Sequence, residues 1–222
     1  GEGCKIHSGT TQRKGQKEKQ MNLLKEFLKD WRIVAVVIVI VTVWILSSCT
    51  RDNMEPRLRK YTVQEGSHDF TPSPFPAPSN AKTFKGQARI HASCWYDVLG
   101  VDNNDWNKLA GVYRFADVVK NKNSFILAWR PLNAIKNRFE LCLYENIDGA
   151  NVPHDSAIYQ VSGGQLFDFE LVYTNNKYSL YVDGNLLGTQ RNDVTYNWIA
   201  KISAWFGGNQ SAPWTMWLEM DF

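Results

Sequence analysis

The stretch FDFELVYTNNKYSLYVDGNLLGT, Phe167 to Thr189, decides the fold. Two runs in it alternate with period two: Phe169, Leu171 and Tyr173 share one face of the first, and Tyr178, Leu180 and Val182 share one face of the second. That is the pattern of half-buried strands. Between them Thr174-Asn175-Asn176-Lys177 supplies side chains that tolerate the left-handed backbone of a tight hairpin turn. Asp183-Gly184-Asn185 turns the chain again, into a short extended piece at Leu186-Leu187-Gly188. The spacing predicts a three-stranded antiparallel meander. One such sheet leaves its apolar face in water, so the rest of the chain is expected to supply a second sheet.

Working outward, the same alternation recurs. Residues 84–97 place Ala88, Ile90, Ala92, Cys94 and Tyr96 on one face and Arg89, His91, Ser93, Trp95 and Asp97 on the other. After a turn at Asp102-Asn103-Asn104-Asp105 come a short strand from Lys108 to Phe115 and another from Ser124 to Arg130, with Phe125, Leu127 and Trp129 opposing Ile126, Ala128 and Arg130. Phe139 to Asn146 sets Phe139, Leu141 and Leu143 against Glu140, Cys142 and Tyr144. A loop follows at Asp148-Gly149 and Pro153, then strands at Ala157 to Val161, Ala200 to Phe206 and Trp214 to Phe222. Many short strands at even spacing, with no soluble helix longer than a turn, predict an all-β, two-sheet antiparallel sandwich over residues 81–222. Cys94 and Cys142 both fall inside strands; a disulfide and two small buried thiols are both compatible with that placement.

The front of the chain reads differently. Residues 1–20 are polar and basic, without the periodicity of a core, and Met21 is the expected start. Lys25, Lys29 and Arg32 precede an unbroken apolar run, Ile33 to Leu46, that ends at Ser47-Ser48-Cys49. This order is that of a secretory signal peptide, and the run of 14 residues is shorter than the ~20 of a bilayer-spanning helix. Leu46-Ser47-Ser48-Cys49 resembles the lipobox of bacterial lipoproteins, which implies a signal peptide over 21–48, a lipid anchor on Cys49 and a place in the cell envelope, on the outer membrane or cell surface. An uncleaved anchor helix is the alternative. Residues 49–80, with alternating prolines in Thr71-Pro72-Ser73-Pro74-Phe75-Pro76-Ala77-Pro78, read as a tether, part of which docks on the domain as an edge strand from about Tyr61. Residues 1–49 hold eight of the 25 Lys and Arg and four of the 22 Asp and Glu, so the remainder is near neutral. Nothing in that balance suggests nucleic acid as a partner, which would need a basic face on the folded part.

The segment Phe167 to Thr189, with its Val-Asp-Gly turn, resembles the strand pair of laminin-G-type domains. Ala204-Trp205-Phe206-Gly207-Gly208-Asn209, followed by Ala212-Pro213 and a last strand, resembles the end of bacterial concanavalin A-like lectin and glucanase domains, and Asn107-Lys108-Leu109 and Phe139-Glu140-Leu141 fit the same family. The resemblance covers about Phe84 to Phe222. It implies a jelly roll of two curved sheets whose concave face binds carbohydrate in many members; the fold also hosts hydrolases, lyases and adhesion modules.

Retaining glycosidases need two carboxylates ~5 Å apart, which in glucanases of this fold lie on one strand as Glu-x-Asp-x-x-Glu. Glu219-Met220-Asp221 holds only the first half, and Glu170 stands alone. For a lyase, His91, Arg130 and Tyr144 are the candidates, but the arginine-rich and tyrosine-rich strand motifs of alginate lyases are absent. Binding has better material, because sugar rings offer an apolar face to indole and hydroxyls to planar polar groups. Trp95, Arg130, Glu140, Tyr144 and Trp205 are the predicted groove, with structural packing of the tryptophans and a simple Arg130 to Glu140 cross-strand ion pair as the plain alternative. The oxygen-rich Asp102-Asn103-Asn104-Asp105 suits calcium or an ordinary turn. The sequence thus predicts a glycan-binding envelope lipoprotein; an adhesion module for a protein partner and a polysaccharide-acting hydrolase or lyase follow in that order.

Overall fold

Asn175 and Asn176 both take left-handed backbone, with φ of 51° and 63°, and in the computed structural model they close the expected hairpin between Thr174 and Lys177. The structure describes residues 57–73, 77–154 and 157–222, with scattered positions between Lys19 and Thr42. The chain divides into two units, Gly1–Glu55 and Pro56–Phe222. In the first, the described positions are helical, and among the described residues no helix is long and apolar enough to cross a membrane. Cys49, the expected lipidation site, lies outside the described residues.

The second unit is built of strands β1 (Arg59–Val63), β2 (Phe70–Thr71), β3 (Pro78–Ser79), β4 (Thr83–Ile90), β5 (Asn107–Arg114), β6 (Ser124–Pro131) and β7 (Arg138–Ile147). They are followed by β8 (Ala150–Pro153), β9 (Tyr159–Ser162), β10 (Leu166–Thr174), β11 (Lys177–Val182), β12 (Asn185–Thr189), β13 (Ile199–Ile202) and β14 (Met216–Asp221). One seven-stranded sheet runs β12-β11-β10-β4-β14-β1-β2; the other runs β3-β13-β5-β6-β7-β8, with β9 also paired to β7. Every pairing is antiparallel. The chain crosses between sheets after β2, β3, β4, β9, β12 and β13, which makes the unit a two-sheet antiparallel jelly-roll β-sandwich.

The alternating residues explain the layers. Leu171, Leu180 and Val182 from one sheet and Phe125, Leu127 and Trp129 from the other are fully buried in a shared core, where Phe125 stacks on Tyr178 at 5.6 Å between ring centres. At one end of the core Glu145 is completely buried. Its Oε1 lies 2.7 Å from His154 Nε2 and accepts from the Arg191 amide, while Oε2 accepts from Asn192 Nδ2. That hub pins the segment after β12 to β7 and β8.

Three expectations change, and the open choice for the cysteines is decided. Strand β4 ends at Ile90, and residues Ala92–Cys94 form a 3-10 turn whose Ser93 amide donates to His91 Nδ1, so alternation does not run on to Trp95. The loop expected around Pro153 contains β8, hairpinned to β7 through Asp148 and Gly149. Three strands lie in the stretch expected as a tether, and β1 sits between β14 and β2 instead of at an edge, burying Tyr61, Val63 and Phe70 in the core. The sandwich therefore includes residues well before 81. Cys94 and Cys142 are not joined: the first is buried in the main core, the second on the opposite face of the second sheet.

Candidate functional site

The second sheet has a second apolar layer on its outward face. In register, Arg130 opposes Glu140, Ala128 opposes Cys142, and Ile126 opposes Tyr144; Lys108 of β5 opposes Ala128. Because successive side chains alternate across a strand, these all point away from the core, where Ile126, Ala128, Cys142, Tyr144, Ala200 and Ile202 cluster with Trp106 and Trp205. Small side chains at Ala128 and Cys142 leave room for the long stem of Lys108, which is only 7% exposed.

Trp205 reaches this face after β13 has ended. Its backbone exchanges two hydrogen bonds with Lys108, at 3.0 and 3.1 Å, and Phe206 then turns into the core. The chain can leave only over Trp106: a Cβ on Gly207 would come 2.2 Å from the Trp106 carbonyl oxygen. Asn107, fully buried, holds this crossing by accepting from the Gly207 amide at 2.8 Å and donating to Tyr96 Oη at 2.9 Å. The result is a hollow of about 370 Å³ lined by Asp105, Trp106, Lys108, Tyr144, Asn151 and Asn209.

Three aromatic rings on this face, those of Trp106, Tyr144 and Trp205, carry a cation. The Arg130 guanidinium lies 4.2 Å from the Trp106 ring centre, while its Nε donates to Glu140 Oε2 at 2.9 Å and its Nη1 to the Asn104 carbonyl at 3.3 Å. Lys108 Nζ lies 4.0 Å from the Tyr144 ring centre and 5.5 Å from that of Trp205, and donates to the Trp106 carbonyl at 2.6 Å. Lys120 Nζ lies 4.3 Å from the Trp205 ring centre and lines a neighbouring hollow of about 160 Å³ with Ser73, Tyr113 and Ser203. Burial pushes the Lys108 ammonium down to about 8, against the opposing pull of Asp105, and pushes the Tyr144 phenol up to about 12. Asp105 is raised by burial and by Asp102.

Of the predicted groove, Arg130, Glu140, Tyr144 and Trp205 share this face. Trp95 does not: the 3-10 turn redirects it, its ring packs half-buried against the main core, and its Nε1 donates to the Leu132 carbonyl at 3.4 Å. Trp106, Lys108 and Lys120 take its place. Lys108 was hidden by a bulge between Lys108 and Ala110. Strict alternation back from Val112 would put Lys108 inside, whereas the bulge turns both Leu109 and Ala110 inward and Lys108 out.

The other candidates scatter. His91 stacks on Trp217 of the first sheet, 3.6 Å between centres, away from the face that carries Arg130 and Tyr144. Glu219 pairs with Arg89 at 3.6 Å and Glu170 with Lys85 at 3.0 Å, also on the first sheet. Asp102-Asn103-Asn104-Asp105 does not fit calcium: Asn103 is buried, accepting from the Leu99 amide and donating to Asp97, and the Asn104 carbonyl faces the Arg130 guanidinium. Among the described residues no group of three His, Cys, Asp or Glu side chains is placed to hold a metal.

No protein-family model matches the chain, and no curated protein sequence matches it. Solved structures similar in shape include an alginate lyase of polysaccharide lyase family 7, at 12% identity and a TM-score of 0.46 over 76% of this chain and 77% of that one. The catalytic domain of an endo-1,3-beta-glucanase (laminarinase) from Thermotoga petrophila gives 11% and 0.46 over 78% and 79%. The carbohydrate-binding module CBM66 from Bacillus subtilis gives 9% and 0.35 over 73% and 78%.

Proposed function

We propose that the sandwich is a glycan-binding, lectin-like module whose site is the outward face of the second sheet. One observation carries the reading: Trp106, Tyr144, Lys108, Asn151 and Asn209 line one open hollow, and Trp205, Arg130 and Glu140 stand on the same face of the sheet. Indole supports the apolar face of a pyranose, and planar amides and charged groups beside it satisfy the hydroxyls. Binding suits the face better than hydrolysis. Glu140 is held by Arg130, and no other outward position of β6 or β7 carries the second carboxylate that a retaining glycosidase needs. The order of charged stretch, apolar run and Cys49 supports a lipid-anchored place in the cell envelope, which metabolic labelling of the full chain with a radioactive fatty acid, with and without Cys49→Ala, would test.

A glycan-array screen of the Pro56–Phe222 unit, repeated with Trp205→Ala, tests the site. The expected result is binding that Trp205→Ala weakens by roughly thirtyfold with an unchanged melting temperature. A blank array from folded protein would overturn the glycan reading and turn attention to a protein partner.

A further inference from the structure

The cations of this face are unequally partnered. Arg130 has Glu140. Lys108 and Lys120 take part in no ion pair among the described residues, yet both ammonium groups lie against the ring of Trp205. Lysine is almost never buried without a counter-charge, and an ammonium has three protons to donate; Lys108, at 7% exposure, has one hydrogen-bond acceptor, the Trp106 carbonyl, and the attraction of Asp105 reaches it without closing an ion pair. Two unpaired ammoniums converging on one indole describe a missing anion, one that sits beside an aromatic platform.

Resting on the glycan reading, we infer that the ligand is an acidic polysaccharide, whose carboxylate or sulfate is received between Lys108 and Lys120 at Trp205. Lys120 is the adjustable partner. It is exposed and follows a strained turn: Val118, β-branched, has φ 63° and ψ −33°, closed by a hydrogen bond from the Val119 amide to the Asp117 carbonyl at 2.6 Å. A β-branched residue at positive φ is an outlier held by its surroundings, so movement of this segment relieves strain. Lys120 then swings off the indole, the sugar ring takes its place, and the ammonium pairs with the anion.

The sign of one substitution separates the alternatives. For an acidic glycan, Lys120→Ala removes an attraction and weakens binding by about three- to fivefold; for a neutral glycan the same change uncovers the indole and strengthens binding. Lys108→Met, which keeps the apolar stem, is expected to weaken acidic-glycan binding on the order of a hundredfold. Matched probes isolate the charge: polygalacturonate against its methyl ester for carboxylate, and dextran sulfate against dextran for sulfate, with polyglutamate as an anion without sugar. Isothermal titration of the protein should show binding to one or both acidic sugars, lost in Trp205→Ala and reduced at about 0.5 M salt, with the pair that responds naming the anion. Equal binding of the neutral members, tightened by Lys120→Ala, would overturn the acidic-ligand inference and leave the glycan reading standing. Equal binding of polyglutamate, or no binding of any sugar, would overturn both.

Discussion

Lys108 is retained at a cost in stability. A shift from 10.5 to about 8 corresponds to roughly 3 kcal/mol of preference for the neutral amine, because the fold withdraws the ammonium from water and supplies one carbonyl in return. Lys108→Met should therefore stabilise the domain near neutral pH, by about 1–3 kcal/mol, while impairing binding. The sign of the pH dependence follows. Between pH 8 and 10.5 the unfolded chain holds the Lys108 proton and the folded chain does not, so this residue's penalty is full below about 8 and fades as pH rises. The groups facing the amine are Asp105, Cys142 and Tyr144. The buried Cys94 thiol, raised to about 12, and the Tyr144 phenol, also raised to about 12, act in the opposite sense at high pH. Both are common to the two proteins, so the difference in urea-unfolding free energy between variant and wild type is the quantity to measure. It should shrink from pH 7 to pH 10; a constant difference would place the Lys108 amine in water.

At the scale of elements, regular strands were legible and departures from regularity were not. Alternation along β6 and β7 put Arg130, Glu140 and Tyr144 on one face because those strands run unbroken through adjacent positions. Trp95 was misplaced because the His91 cap starts a 3-10 turn two residues after Arg89, and Lys108 was not singled out because a single extra residue in β5 inverts the face. Lys120 belongs to a connection whose path is set by contacts distant in sequence, and no local pattern marks it. The Gly207 crossing is another such contact, and it is rigid. Gly207→Ala should cost about 1–3 kcal/mol and also weaken glycan binding, since relieving the clash with the Trp106 carbonyl lifts both walls of the hollow. Thermal melts and binding of the same variant check this; a stable variant with full affinity would show the crossing to be pliable. In the hairpin, Asn176→Val should lose about 1–2 kcal/mol, because its left-handed φ of 63° opposes a β-branched side chain.

The whole molecule depends on strands from the start of the unit. Tyr61, Val63 and Phe70 contribute about 2 kcal/mol each by burial, and together they rival the roughly 5–15 kcal/mol that hold a domain folded. Residues 57–222 should unfold in one cooperative transition and residues 81–222 should not, by calorimetry; a sharp transition in the shorter piece would reduce β1 and β2 to decoration. The order in which the parts come together carries its own consequence. β14 lies between β4 and β1, so positions 216–221 complete the middle of a sheet whose other strands all precede them in the chain. As synthesis proceeds at about 5–20 residues per second, β4 waits with an open edge for more than a hundred residues of chain. The nascent protein is thus most vulnerable to mispairing just before β14 emerges, and a chaperone acting on it has its longest task at that moment.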